Sequence, residues 1–237
     1  MALSIAARTE YALTNAGTTI TATFTQTTGD YVVIFISTAQ STALASISDG
    51  FTDLTARTGN FHVIYKKVLV GTEGGNVAMT VTSTKACAIA FNIQGASANT
   101  APAISTIATA TDTAPNPTTV TPAGGSNSYA WLAAFHQAGE EADDDTWCNS
   151  ATAPFTNLAQ ITTGTSGLPA TNCSIASADV ISTAASIDPG VFDTDGTLLW
   201  EAYAVGVVVA GSSASASVSP SASLSPSASL SPSASIS

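Results

Sequence analysis

The sequence predicts an all-β protein, an antiparallel β-sandwich of jelly-roll-like type that carries an extended C-terminal segment. Three observations support this. Only 9% of the 237 residues are charged, against about 25% in an average soluble domain, and Thr, Val, Ser, Ala and Gly fill the difference. The branched Cβ of Thr and Val suits the pleated surface of a strand. Apolar residues recur with a period of two, or in runs of strand length bounded by Gly, Asn and Pro. The last part of the chain alternates so strictly that only an extended backbone presents it coherently.

Taken in order, Thr19 to Thr27 place Thr at every odd position, with Ile20, Ala22 and Phe24 between. That is the two-faced pattern of a half-buried strand. Tyr31-Val32-Val33-Ile34-Phe35-Ile36 is a continuous apolar run, as expected of a central strand. Phe61 to Val70 alternates around His62 and Lys66, and Val77 to Thr82 and Ala86 to Ile93 complete a first set. Turn signals at Gly59-Asn60, Gly74-Gly75 and Gly95 separate these runs. After a Pro-containing linker with Pro102, Pro115, Pro117 and Pro122, the second half replays the first. Tyr129 to Phe135 answers Tyr31 to Ile36, and Phe155-Thr156-Asn157-Leu158 answers Phe51-Thr52-Asp53-Leu54. Ala204 to Gly211 answers Ala88 to Gly95. The expected organisation is therefore a sandwich over 1–211, built from two weakly similar halves of about 1–107 and 108–211, with a tail at 212–237.

In the tail, every odd position from Ser213 to Ser237 is Ser. Pro recurs every sixth residue at 220, 226 and 232, which excludes a helix. An extended chain puts all Ser on one face and all Ala, Pro and aliphatic residues on the other. Val218, Leu224, Leu230 and Ile236 then form a six-residue series of apolar anchors for assembly. Such a segment buries too little of itself to order alone and needs a partner surface.

Five basic against sixteen acidic residues give a formal charge of −11, which argues against nucleic acid as a partner, because phosphate binding draws on Lys and Arg. The start, Met1 to Glu10, has no basic n-region and only a short apolar run. No stretch approaches the length of a membrane helix. Synthesis in a cytoplasm without a signal peptide, and no membrane insertion, are the expectations. Of the three cysteines, Cys87 lies in an apolar strand-like run. Cys148 and Cys173 either bridge two loops or remain a reduced, buried pair, and the cytoplasmic reading favours the reduced state.

The search for chemistry yields no catalytic and no cofactor-binding residues. His62 and His136 fall in strand-like runs without metal-ligand spacing. Glu140-Glu141-Ala142-Asp143-Asp144-Asp145 and the turn around Asp193 and Asp195 are acidic clusters. Hard cations want six to eight oxygens from such loops, so Asp143, Asp145, Asp193 and Asp195 are weak Ca²⁺ candidates, while solvated loop charge is the simpler reading and no metal is expected. Trp131 and Trp200 read as core residues. Trp147, beside an acidic run, is the candidate for an exposed ligand contact.

The Thr/Ala/Gly-rich, charge-poor texture, the motif at Phe51-Thr52-Asp53-Leu54 and Phe155-Thr156-Asn157-Leu158, and the Ser-Ala-Pro repeat at 215–237 together resemble β-sandwich surface proteins of tailed-bacteriophage virions. The resemblance covers nearly the whole chain and is one of texture. It implies a non-enzymatic structural protein of the virion surface, a capsid decoration or head-fibre protein. Its implied partners are sister copies in a homotrimer and a capsid or tail protein. A receptor- or glycan-binding tail protein, with a host-surface glycan as ligand, is the alternative, and a polysaccharide-degrading enzyme is a remote one.

Overall fold

Eight consecutive residues, Tyr31–Thr38, are all buried. Successive side chains of a strand point to opposite faces, so this sheet must be covered on both. The computed structural model describes residues 2–23, 30–39, 44, 46–47, 50–56, 59–67, 76–97, 100–138, 147–164 and 172–210. Within them the protein is all-β, without a helix, and two antiparallel sheets stack face to face with further chain over each outer face.

The first sheet is drawn from β1 (Ser4–Thr23), β2 (Tyr31–Thr38), β3 (Ser46–Ile47), β4 (Thr52–Asp53), β5 (Phe61–Lys67) and β6 (Asn76–Gln94). Its order is β1-β6-β2-β5-β4, with β3 also on β6. The second half contributes β7 (Ala103–Ile104), β8 (Ala108–Asp112), β9 (Asn127–Ala138), β10 (Cys148–Ala151), β11 (Thr156–Thr162), β12 (Cys173–Ala184), β13 (Phe192–Thr194) and β14 (Leu198–Val208). Its main sheet runs β11-β12-β9-β14-β7, with β8 also on β14, while β10 and β13 pair separately. Read from the opening edge strand, β1-β6-β2-β5-β4 and β7-β14-β9-β12-β11 are the same path. The segments alike in sequence, in β2 and β9, β4 and β11, and β6 and β14, hold equivalent places in the two sheets.

Cross-strand partners define the residue register of this likeness. Ala90 of β6 lies opposite Ile34 of β2, and Gly206 of β14 lies opposite Trp131 of β9. With β6 and β14 in step, Ile34 is equivalent to Trp131, one residue away from the match of Tyr31 with Tyr129 that the sequence suggests. Tyr31 faces the partner sheet, and Tyr129 faces outward. A one-residue slip reverses the face of every side chain.

Three apolar layers result. Between the sheets lie Val33, Phe35, Phe61, Ile89 and Phe91 from the first, against Leu132, Ala134, Ile175, Val205 and Val207 from the second. Outside the first sheet lie Val32, Ile34, Ile36, Ala86, Ala88 and Ala90, covered by Ile20, Leu44, Met79 and Val81. Ile20, Met79 and Val81 belong to the far half of the antiparallel β1–β6 ribbon, whose register breaks between Leu13 and Gly17 and between Gly17 and Thr19. Such bulges increase twist and bend a long ribbon. The two runs expected at Val77 to Thr82 and Ala86 to Ile93 are therefore one strand. Ser4 to Glu10 is the start of β1, paired with β6 from Ser4 opposite Gln94, with a register shift between Ile5 and Ala7.

Candidate functional site

Several polar groups bond across the seam between the sheets, although Asn172 Nδ2 and Ser177 Oγ are buried without a partner. Arg8 of β1 hydrogen-bonds the carbonyls of Asn157 and Leu158 and pairs with Asp179 of β12 at 3.5 Å. Asn157, at φ 53°, donates through Nδ2 to the same carboxylate at 3.0 Å. Burial holds the Asp179 carboxyl above its ordinary range, and Asn157 and Arg8 pull it back. Lys85 Nζ donates to Asn172 Oδ1 at 2.7 Å. At the far end Ser97 N bonds Val208 O at 2.8 Å and Ala210 N bonds Gly95 O at 2.7 Å.

His136 is the seam's most chemically loaded residue. It is buried, stacks on Phe61 at 5.6 Å, and shares a hydrogen bond between its Nδ1 and Ser37 Oγ. Glu201 lies opposite it on β14. Burial, reinforced by His62, pushes the imidazole down to about 3, so it is neutral at ordinary pH. Serine, histidine and a carboxylate are the residue types of a nucleophile–base–acid array, but Ser37 has no exposed surface. The cavity beside His136 and Glu201 measures about 80 Å³, room for only a few waters. This arrangement ties the two sheets together.

The acidic turn holds Asp193 and Asp195 in the open, with Asn149 Nδ2 donating to Asp195 Oδ1 at 2.8 Å and to Asp193 Oδ2 at 3.5 Å. An amide donor between two carboxylates takes the oxygens a cation would use. Among the described residues no three His, Cys, Asp or Glu are grouped to hold a metal ion. Asp143 and Asp145 lie outside the described residues, as do Val218, Leu224, Leu230 and Ile236.

Trp147 overturns an expectation. It is not an exposed contact: it is 6% exposed and packs edge-on to Phe135, with ring centroids 5.1 Å apart. The acidic run before it suggested a solvated loop. The residues after it form β10, whose ribbon with β13 helps cover the outer face of the second sheet. The cysteines regroup as well. All three are free and buried, but the neighbours are Cys87 and Cys173, with sulfurs 3.7 Å apart. Cys148 sits in the outer aromatic layer, apart from both.

Among the described residues, a groove suited to receiving a ligand lies at one end of that outer layer. It measures about 340 Å³ and is lined by Thr100, Ala101, Pro122, Tyr129, Gly206 and Val208, among others. Gly206 makes it possible, because a Cβ there would come within 2.8 Å of the Trp131 ring and 3.3 Å of Pro122. The groove's polar groups are turned to its own backbone: Tyr129 Oη donates to Gly125 O at 3.0 Å and Asn127 Nδ2 to Gly124 O at 2.7 Å. What remains open is mostly apolar wall. Val208 is part of it, and the tail begins four residues further on, at Ser212.

The fold and its seam define an antiparallel β-sandwich of two like-wired sheets. No protein-family model, curated protein or solved structure matches the chain.

Proposed function

We propose that this chain is a non-enzymatic structural protein of a virion surface, a capsid decoration or head-fibre protein. In this reading the sandwich is the rigid projecting body and the C-terminal repeat joins copies to one another. The observation that carries it is the unbroken Ser alternation from 213 to 237, with an aliphatic residue every sixth position. A repeat of that regularity presents one hydroxyl face and one apolar face, and nothing in catalysis calls for it. The groove beside the tail's point of departure supports the reading, since its open wall is mostly apolar. Its occupant is the Leu-Ser-Pro unit of a sister copy's tail, held at about 25 cal/mol per Å² of apolar area removed from water. The glycan-binding alternative loses its motivating residue with the burial of Trp147.

The test is to follow the protein by mass spectrometry through a density gradient of virions from the producing culture. A constant ratio to the major shell protein across the particle peak is the expected result. Recovery only in the soluble fraction at the top of the gradient would overturn the proposal.

A further inference from the structure

We propose that Cys87 and Cys173 form an inter-sheet disulfide when the protein meets an oxidising thiol–disulfide pool. Cys87 lies in the middle of β6, facing the gap between the sheets, and Cys173 opens β12 on the opposite sheet. Their sulfurs are 3.7 Å apart, and each also lies near backbone carbonyls: Cys173 O at 3.7 Å from Cys87 Sγ, and Ser37 O at 3.6 Å from Cys173 Sγ. A disulfide needs about 2.05 Å, so the sulfurs must close by well under the diameter of an atom, within a layer where no other thiol competes. Cys148 belongs to a different apolar layer.

The reaction balances with a low-molecular-weight disulfide such as oxidised glutathione. One protein thiolate attacks it, forming a mixed disulfide and releasing one reduced glutathione. The second protein thiol loses its proton and displaces the second glutathione, so two thiols are oxidised while one external disulfide is reduced. Both sulfurs are buried, and burial raises the Cys87 thiol well above its ordinary range. Exchange therefore proceeds while the layers assemble, or through fraying of the β12 start. Cys173 pairs there with Ala138, the last residue of β9, and strand ends open at far lower cost than a whole sheet. The closed bond would span 86 residues of chain and clamp the first sheet to the second.

The experiment refolds the full chain from urea in a reduced/oxidised glutathione buffer, and in parallel under a strong reductant. Thiols are then alkylated under denaturing conditions, and intact mass and peptide mapping are read. The expected result is a single alkylated cysteine, Cys148, a mapped Cys87–Cys173 link, and a Tm roughly 5–15 °C above the reduced form. Cys148→Ala retains the link and the shift; Cys87→Ala loses both. Three alkylated cysteines after oxidative refolding, or a link that includes Cys148, would overturn the proposal. Because refolding passes through the exposed chain, burial in the native state cannot hide a reactive pair.

Discussion

The two sheets follow one strand path and fill their outer faces differently. In the first, Ile34 and Ile36 lie opposite Ala90 and Ala88, under aliphatic cover from Ile20, Leu44, Met79 and Val81. In the second, Trp131 and Phe135 lie opposite Gly206 and Ala202, and the outer layer is aromatic, with Trp200 of β14 itself joined by Trp147, Phe155 and Phe192. Where the residue on one strand grows from Ile to Trp, its neighbour shrinks from Ala to Gly. A backbone plan thus tolerates two quite different packings, provided that large side chains on one strand meet small ones on the next. The aromatic version leaves a groove at its end, the surface proposed above to receive a sister copy's tail.

The sharpest way to break this comparison is at its central pair. Trp131→Ala should cost about 3–5 kcal/mol and Ile34→Ala about 2–4, read by urea unfolding. Gly206→Ala should cost about 1–3 kcal/mol by overpacking, because the new methyl meets the Trp131 ring. Combining Gly206→Ala with Trp131→Ile rebuilds the first sheet's pair in the second. The two changes should then be less costly than their sum by at least about 0.5 kcal/mol, and strict additivity would deny that the positions are equivalent. Trp147→Ala should cost about 3 kcal/mol or more; a variant of unchanged stability would return that residue to the surface.

Two smaller effects concern the seam that holds the sheets together. Arg8→Ala leaves the Asp179 carboxylate buried with Asn157 as its remaining side-chain donor, and should cost roughly 1–3 kcal/mol. The Asp179→Asn change in that background should recover part of the loss. For His136, the folded value of about 3 lies below the unfolded 6.5. Between those limits the unfolded chain binds a proton that the folded chain refuses, so this residue's contribution falls as pH drops, by up to about 1.4 kcal/mol per pH unit. Glu201, held above its ordinary range by burial, acts in the opposite sense. Stability measured from pH 6.5 to 4 should decline less steeply in His136→Gln than in the parent; an unchanged slope would remove His136 from the account.

Much of this fold was legible in the residues. Continuous apolar runs and period-two alternation located β2, β5, β6, β9 and β14, and the segments alike in sequence take matched places in the two sheets. The register was not legible: Tyr31 and Tyr129 look alike, yet each faces the side its own cross-strand partners dictate. Residues 4–13 do alternate, with Ile5, Tyr11 and Leu13 on one parity and Arg8 and Glu10 on the other, but the intervening small residues leave the strand signal weak. Arg8 is there to reach Asp179 on the other sheet, a contact 171 residues away that no local pattern contains. The seam pairs Ser37 with His136 and Cys87 with Cys173 share that character. Gly206 had a readable signal in Ala202-x-Ala204-x-Gly206, small residues on one face, but its meaning depended on which aromatic ring lay opposite.

The central claim is that the sandwich is the body and the repeat tail is what joins copies. Light scattering on the full-length protein and on a chain ending at Gly211 tests it directly. The account predicts an oligomer, a trimer by the resemblance drawn above, that falls to a folded monomer on truncation. A full-length protein that is monomeric, or an oligomer that survives loss of the tail, would contradict it.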